Sequence, residues 1–282
     1  DQVLALSTDT SVESVHFRRA WASLEEIGWR AAAGALSDLA AVAAEPIGLL
    51  AALVLPPGLG EEDSVALMRG VANAGASVGA VVLGGDLSAG GELVITITVV
   101  GRCERPVRRS GARPGDGLWV TGRLGGPRAA LEGWIAGGAP AAAARAAFLH
   151  PEPRVGAARW LASHGATAMI DLSDGLAGDA GHLAAASGVR LEIDLARIPL
   201  HPDLAAVTAA AGAPAAELAA RGGEDYELLV AMPPDFGDAV AALATEEVGV
   251  GLTRIGAVVP GSGVRLSLDG RDVALTSYDH FA

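Results

Sequence analysis

From Arg102 to Asp116 the chain runs through a polar stretch rich in Arg, Pro and Gly, and this stretch limits the fold more than any other feature. Such a composition sustains neither a helix nor a central strand. On both sides of it, short apolar runs alternate with helical patterns, so one alternation stops there and a second begins. Two α/β or α+β halves are therefore expected, divided into residues 1–108 and 109–282.

In the first half, Val3 to Thr8 predicts a strand that ends in Asp9. Ser23, with Glu26 three residues later, marks a capping-box start for a helix over 24–42. A strand over 47–55 is closed by Pro56-Pro57, and a helix follows over 61–77. The run 79–83 predicts a buried strand leading into Gly84-Gly85-Asp86, and 93–101 a strand with β-branched residues from Val94 to Thr98. In the second half, strands are predicted over 118–121, 168–171, 189–193, 226–230 and 252–259. Helices are predicted over 129–134, 154–163, 174–187 and 236–244.

The composition narrows the chemistry. Half the residues are apolar (51%), enough for a substantial core. Cys103 is the only cysteine, which excludes an internal disulfide framework and a cysteine-rich zinc site and favours a reducing, cytoplasmic setting. No apolar run is long and clean enough to span a bilayer, and no secretory signal is visible. The net charge is −13, from 33 acidic and 20 basic residues, so nucleic acid would be repelled and a phosphate ester would need divalent cations as a bridge. Every basic residue is Arg; without Lys there is no Walker-type phosphate loop.

Carboxylates interrupt the apolar segments at particular places. Ser7, Thr8 and Asp9 form the polar end of the first strand, where Ser7 and Asp9 share a face; the group suits a hard cation, and equally suits a turn. Asp38 has Gly34, Ala35, Ala41 and Val42 as helical neighbours, so it lies either on an apolar stripe needing a partner or metal, or on an exposed face filled with Ala. Asp86 follows two glycines, which permit close ligand approach or an ordinary turn. Asp171, Ser173 and Asp174 gather where a strand meets a helix; capping accounts for one of them but not for three. Gly222 to Glu227 is the densest acidic cluster of the second half. His16 reads as structural or functional alike, and Arg108-Arg109 as a phosphate clamp or a solvated pair.

Taken in order, these motifs resemble the thiamine-monophosphate kinase family, within the superfamily of aminoimidazole ribonucleotide synthetase and selenophosphate synthetase. The matching stretches are Leu4 to Thr10 with Val15-His16-Phe17, Leu36 to Ala41, Gly84-Gly85-Asp86, Arg109 to Asp116, Ile170 to Leu176, Gly222 to Leu228 and Tyr278 to Phe281. The resemblance implies a two-domain aminoimidazole ribonucleotide synthetase-like fold, each half a mixed sheet covered by helices, and a homodimer joined through the sheets of the first halves. It implies that Ser7, Thr8, Asp9, Asp38, Asp86, Asp171 and Asp174 hold several Mg²⁺ ions. Gly85, Asp86, Arg109 and Ser173 would contact ATP, and His16, Glu224 and Tyr278 the thiamine phosphate.

Three departures from the family pattern stand out. The family carries a Gly-Asp-Asp-Ala motif upstream of the first strand, ahead of where this sequence starts, so part of the site is expected to be missing from it. Leu87-Ser88-Ala89-Gly90 stands where the family usually has Thr-Thr-Arg-Gly, so a nearby polar contact of the family is not expected here. Ala35 replaces a usual Asn. The implied reaction is direct in-line transfer of the ATP γ-phosphoryl group to the substrate phosphate, already ionised and in need of no general base.

Overall fold

The structure, a computed structural model, describes residues 2–275. These divide into two compact units, residues 2–106 with 149–155, and residues 107–148 with 156–275.

The first unit begins with β1 (Val3–Val12), followed by α1 (Leu24–Ala41), β2 (Glu45–Leu55), α2 (Glu61–Ser77), β3 (Val81–Ala89) and β4 (Val94–Cys103). The capping box that opens α1 is present in full: Ser23 Oγ accepts from the Glu26 amide, and Glu26 accepts from the Ser23 amide. The strands form one sheet in the order β1-β4-β2-β3, with β2 and β3 parallel and the other pairs antiparallel. Alternate residues Ile95, Ile97 and Val99 of β4 and Leu49, Ala51 and Leu53 of β2 pack under Leu36 and Leu39 of α1 and Leu67 and Val71 of α2. The two helices cross closely at glycines: a Cβ on Gly28 would lie 2.0 Å from the Leu67 carbonyl oxygen, and one on Gly70 1.9 Å from that of Glu25. Residues 149–155 join this unit through Trp29, whose indole Nε1 donates to the Pro151 carbonyl and whose ring meets His150.

The opposite face of this sheet is bare. Leu4, Leu6, Thr8 and Thr10 of β1 are exposed there, as is Leu50 of β2. The glycines of Gly84-Gly85-Asp86 do not end a strand, as the sequence predicted. β3 runs through them as an edge strand, exposed along its whole length.

The second unit contains β5 (Gly117–Thr121), α3 (Gly126–Ile135), α4 (Ala142–Leu149), α5 (Val155–Ser163), β6 (Ala168–Asp171), α6 (Leu176–Ser187) and β7 (Arg190–Asp194). It continues with α7 (Thr208–Ala211), α8 (Ala215–Arg221), β8 (Leu228–Met232), α9 (Asp238–Val248), β9 (Leu252–Val259), β10 (Gly263–Leu268) and β11 (Arg271–Val273). Its sheet has the order β11-β10-β7-β9-β5-β8-β6. Every residue of β5, β6 and β8 is buried. Helix α6 lies against β6, β7 and β10, and α9 against β9. Helices α4, α7 and α8 and the hairpin β10–β11 were not anticipated from the sequence.

Candidate active site

In the first unit, strand alternation sends Ser7 and Asp9 to the helix-covered face, opposite Val99 and Ile97 of β4. Ser7 Oγ donates to Asp38 Oδ2 of α1 at 2.5 Å, so two of the residues singled out in the sequence meet directly. Asp38 is half-buried, and Gly34, Ala35 and Ala41 beside it on α1 are buried. The small-residue stripe therefore faces the core and the carboxylate stands at its margin. Thr8 goes the other way: its Oγ1 lies 2.9 Å from Thr98 Oγ1 on the bare face.

Asp86 is placed differently again. Its register runs through Ala52 and Thr96 to Thr10, which puts its side chain on the bare face with the threonine pairs. β3 and β1 are opposite edges of the sheet, three strand spacings or about 14 Å apart. Gly85, opposite Ala51, lies on the helix-covered side. His16 sits in the turn after β1, where its Nδ1 accepts the Val12 amide at 3.1 Å and its carbonyl accepts from Arg30 Nη2 at 3.5 Å.

In the second unit, the acids concentrate at one junction. Asp171 ends β6 and is buried; α6 begins at Leu176, two residues later than predicted. The N-cap is Gly175, at φ 102° and without a side-chain cap, so neither Ser173 nor Asp174 serves as one. The capping explanation for these residues falls away. Their backbone is held instead by Asp179, whose Oδ2 accepts the Asp174 amide at 3.1 Å. Burial, reinforced by the neighbouring Asp174 and Asp171 carboxylates, pushes the Asp179 carboxyl up to about 7. Sequence reasoning missed Asp179, because an acid one turn into an Ala-rich helix gives no local signal.

The acidic loop at 222–227 lies along the same junction. The Glu224 amide donates to the Ser173 carbonyl at 2.7 Å, the Tyr226 amide to Leu172 at 2.9 Å, and the Leu172 amide to Glu227 at 2.8 Å. Tyr226 Oη donates to Glu224 Oε2 at 2.8 Å. A Cβ on Gly223 would lie 2.3 Å from the Ser173 carbonyl oxygen, so this contact needs glycine. Arg109 is exposed, and its carbonyl accepts from Ser187 Oγ at the end of α6. Tyr278 lies outside the described residues.

Among the described residues, no three His, Cys, Asp or Glu side chains form a group able to hold a metal ion by themselves. The donors present still fit magnesium. This ion takes one or two carboxylates and completes its shell with water and ligand phosphate oxygens. The Ser7–Asp38 pair and the mutually repelling acids at the β6–α6 junction are donor sets of that hard-oxygen kind.

Comparison with known proteins gives the same direction for the chain as a whole. Residues 1–103 match the N-terminal domain of AIR synthase related proteins, and residues 113–269 the C-terminal domain. A thiamine-monophosphate kinase of Halobacterium salinarum is 38% identical over 254 residues, covering 90% of this chain and 83% of the relative. One from Aquifex aeolicus is 34% identical, covering 99% of this chain and 88% of its own length. The structure of AaThiL complexed with AMPPCP and TMP superposes with a TM-score of 0.87 at 34% identity, covering 99% of this chain and 88% of that one. The Stenotrophomonas maltophilia thiamine-monophosphate kinase gives the same TM-score and identity over 96% of this chain and 87% of that one. Two matched domain models, together with relatives more than one-third identical along nearly the whole sequence, place this chain in the thiamine-monophosphate kinase family.

Proposed function

We propose that this chain phosphorylates thiamine phosphate with ATP, giving thiamine diphosphate by direct in-line transfer of the γ-phosphoryl group. The ATP-dependent kinase activity follows from the family, whose AaThiL member is complexed with AMPPCP and TMP. The observation that carries the chemistry is the acid cluster at the β6–α6 junction, where Asp179 accepts the Asp174 amide at 3.1 Å and burial, then the Asp174 and Asp171 carboxylates, raises its pKa. A cation there offsets the crowded negative charge and attracts phosphate.

Ser7, Thr8, Asp9, Asp38, Asp86, Asp171 and Asp174 would hold magnesium ions; Thr8 would do so through its backbone carbonyl, since its side chain is engaged with Thr98. Magnesium held by these residues would supply charge neutralisation for the phosphates of the two reactants. Gly85, Asp86, Arg109 and Ser173 bind ATP in this reading, and His16 and Glu224, with Tyr278, bind the thiamine phosphate. The acceptor oxygen is ionised near neutral pH, so the residues position two polyanions and no general base is needed.

The working form in this reading is a homodimer. Leu4 and Leu6 are 63% and 66% exposed on the bare sheet face of the first unit, a patch that pairing with a second copy would bury. Asp86 lies on that same face, so the pairing would also carry this carboxylate into the interface. The single unpaired Cys103 suits the cytoplasm, and among the described residues no helix is long and apolar enough to cross a membrane. A coupled assay for thiamine diphosphate, run with ATP and a magnesium titration, tests the activity. Product formation that depends on magnesium and on thiamine phosphate is expected. Hydrolysis of ATP with no thiamine diphosphate formed overturns the reading.

A further inference from the structure

The loop at 222–227 is held more firmly, and in a less favourable backbone shape, than a polar connection requires. Glu224 and Tyr226 both adopt left-handed backbone conformations, at φ 73° and 50°. Side chains other than Gly rarely stay there unless the surroundings fix them. On one side the fixing is the short ladder to Leu172 and Ser173. On the other side two acids of the loop reach across to the end of β5 and the start of α3. Asp225 Oδ1 accepts the Gly125 amide at 2.9 Å, where Gly125, at φ 88°, is the N-cap of α3. Buried Glu227 accepts from Thr121 Oγ1 at 2.6 Å, and Thr121 Oγ1 in turn accepts the Leu228 amide at 2.8 Å. Glu224 is thus the middle of a span pinned at three places, and its carboxylate is steadied by Tyr226 Oη.

We propose that Asp225 is a positioning residue, which anchors this span to the Gly125 amide so that the left-handed turn at Glu224 presents its carboxylate to the thiamine phosphate. The inference rests on the assignment of Glu224 to that substrate. Asp225 itself touches neither reactant; it acts through the backbone of its neighbours. Burial holds its carboxyl well above the ordinary carboxylate range, so the protonated acid and an amide are close equivalents at this position.

The test uses the full chain and three variants: Asp225→Ala, Asp225→Asn and Glu224→Gln. Hydrogen exchange of the 222–228 segment is followed by mass spectrometry without substrate, and KM is measured separately for thiamine phosphate and ATP. Asp225→Ala should speed exchange of the 224 and 226 amides and raise KM for thiamine phosphate, each about tenfold, for loss of one half-buried anchor. KM for ATP should stay within about twofold. Asp225→Asn, which keeps an acceptor for Gly125, should restore both values. If Asp225→Ala does not fold, Asp225→Ser gives the same readout with a side chain too short to reach Gly125. Unchanged exchange in the Ala or Ser variant overturns the anchor. Faster exchange with an unchanged KM, while Glu224→Gln raises it, overturns the link from anchor to substrate. If Glu224→Gln leaves KM unchanged, the substrate assignment of Glu224 has failed, and the exchange data still decide whether Asp225 holds the loop.

Discussion

The four-stranded sheet of the first unit leaves one face bare, whereas the seven-stranded sheet of the second buries β5, β6 and β8 completely. The candidate ligands differ in the same way. In the first unit they ride on two edge strands and a helix, and Asp9 and Asp86 stand on opposite edges. In the second, Asp171, Asp174 and Asp179 crowd one strand–helix junction, and a backbone ladder ties the acidic loop to it. The first arrangement is spread out and tolerates its charges in solvent. The second is compressed, and burial, reinforced by neighbouring carboxylates, already opposes the charge on Asp179 before any ligand arrives.

Four measurements would break or sharpen this contrast. The largest effect is expected from Asp174→Asn, which should lower kcat about 1,000-fold while circular dichroism stays unchanged. Asp38→Asn should cost about 100-fold, because its spread-out set loses one ligand among several solvated ones. Equal losses would show that the two sets work as one unit.

The second measurement concerns Asp179 in chelator-treated protein. Its folded pKa of about 7 exceeds the ordinary 3.8, so between those values the folded chain holds more protons than the unfolded one. The contribution of Asp179 to stability is therefore full below about pH 4 and is lost as the pH rises through 7, by on the order of 4 kcal/mol. Denaturant melts of Asp179→Asn should be flatter than wild type across that window. A wild-type curve that is already flat would mean that neither burial nor the neighbouring acids oppose the Asp179 charge.

The third concerns the bare face. Leu6→Glu should weaken self-association about 100-fold by light scattering, without changing the melting of a monomer. Association unaffected by the charge would remove this face as the contact. The smallest effect is expected for Thr10→Val, which gives up the 3.0 Å contact with Thr96 Oγ1. It should destabilise the chain by only about 0.5 kcal/mol in denaturant titration.

Much of the scaffold could be read in the amino acids, and what escaped did so for physical reasons. The capping box at Ser23 and Glu26 and the β-branched run at Val94 to Thr98 were legible because local chemistry alone specifies them. β3 was cut short because glycine usually breaks a strand, whereas an edge strand tolerates it. β8 starts at Leu228, two residues after the predicted start, because Tyr226 is held in a left-handed conformation by tertiary contacts that no propensity reports. The hairpin β10–β11 had a usable signal in Asp269-Gly270, both at positive φ, between short alternating runs. For the site, the carboxylates flanking apolar segments could be picked out singly. Which sheet face each occupies became clear only from register, as with Asp86 and Thr8. Asp179 had no signal at all.

The short crossing at residues 149–155 makes the first unit discontinuous in sequence. A ribosome must extrude more than forty further residues after Pro106 before Trp29 can meet Pro151 and His150. Cutting the polypeptide at the Arg-, Pro- and Gly-rich stretch would accordingly not yield two whole modules. It would release the first without its clasp, and with an indole N–H exposed where a carbonyl should receive it.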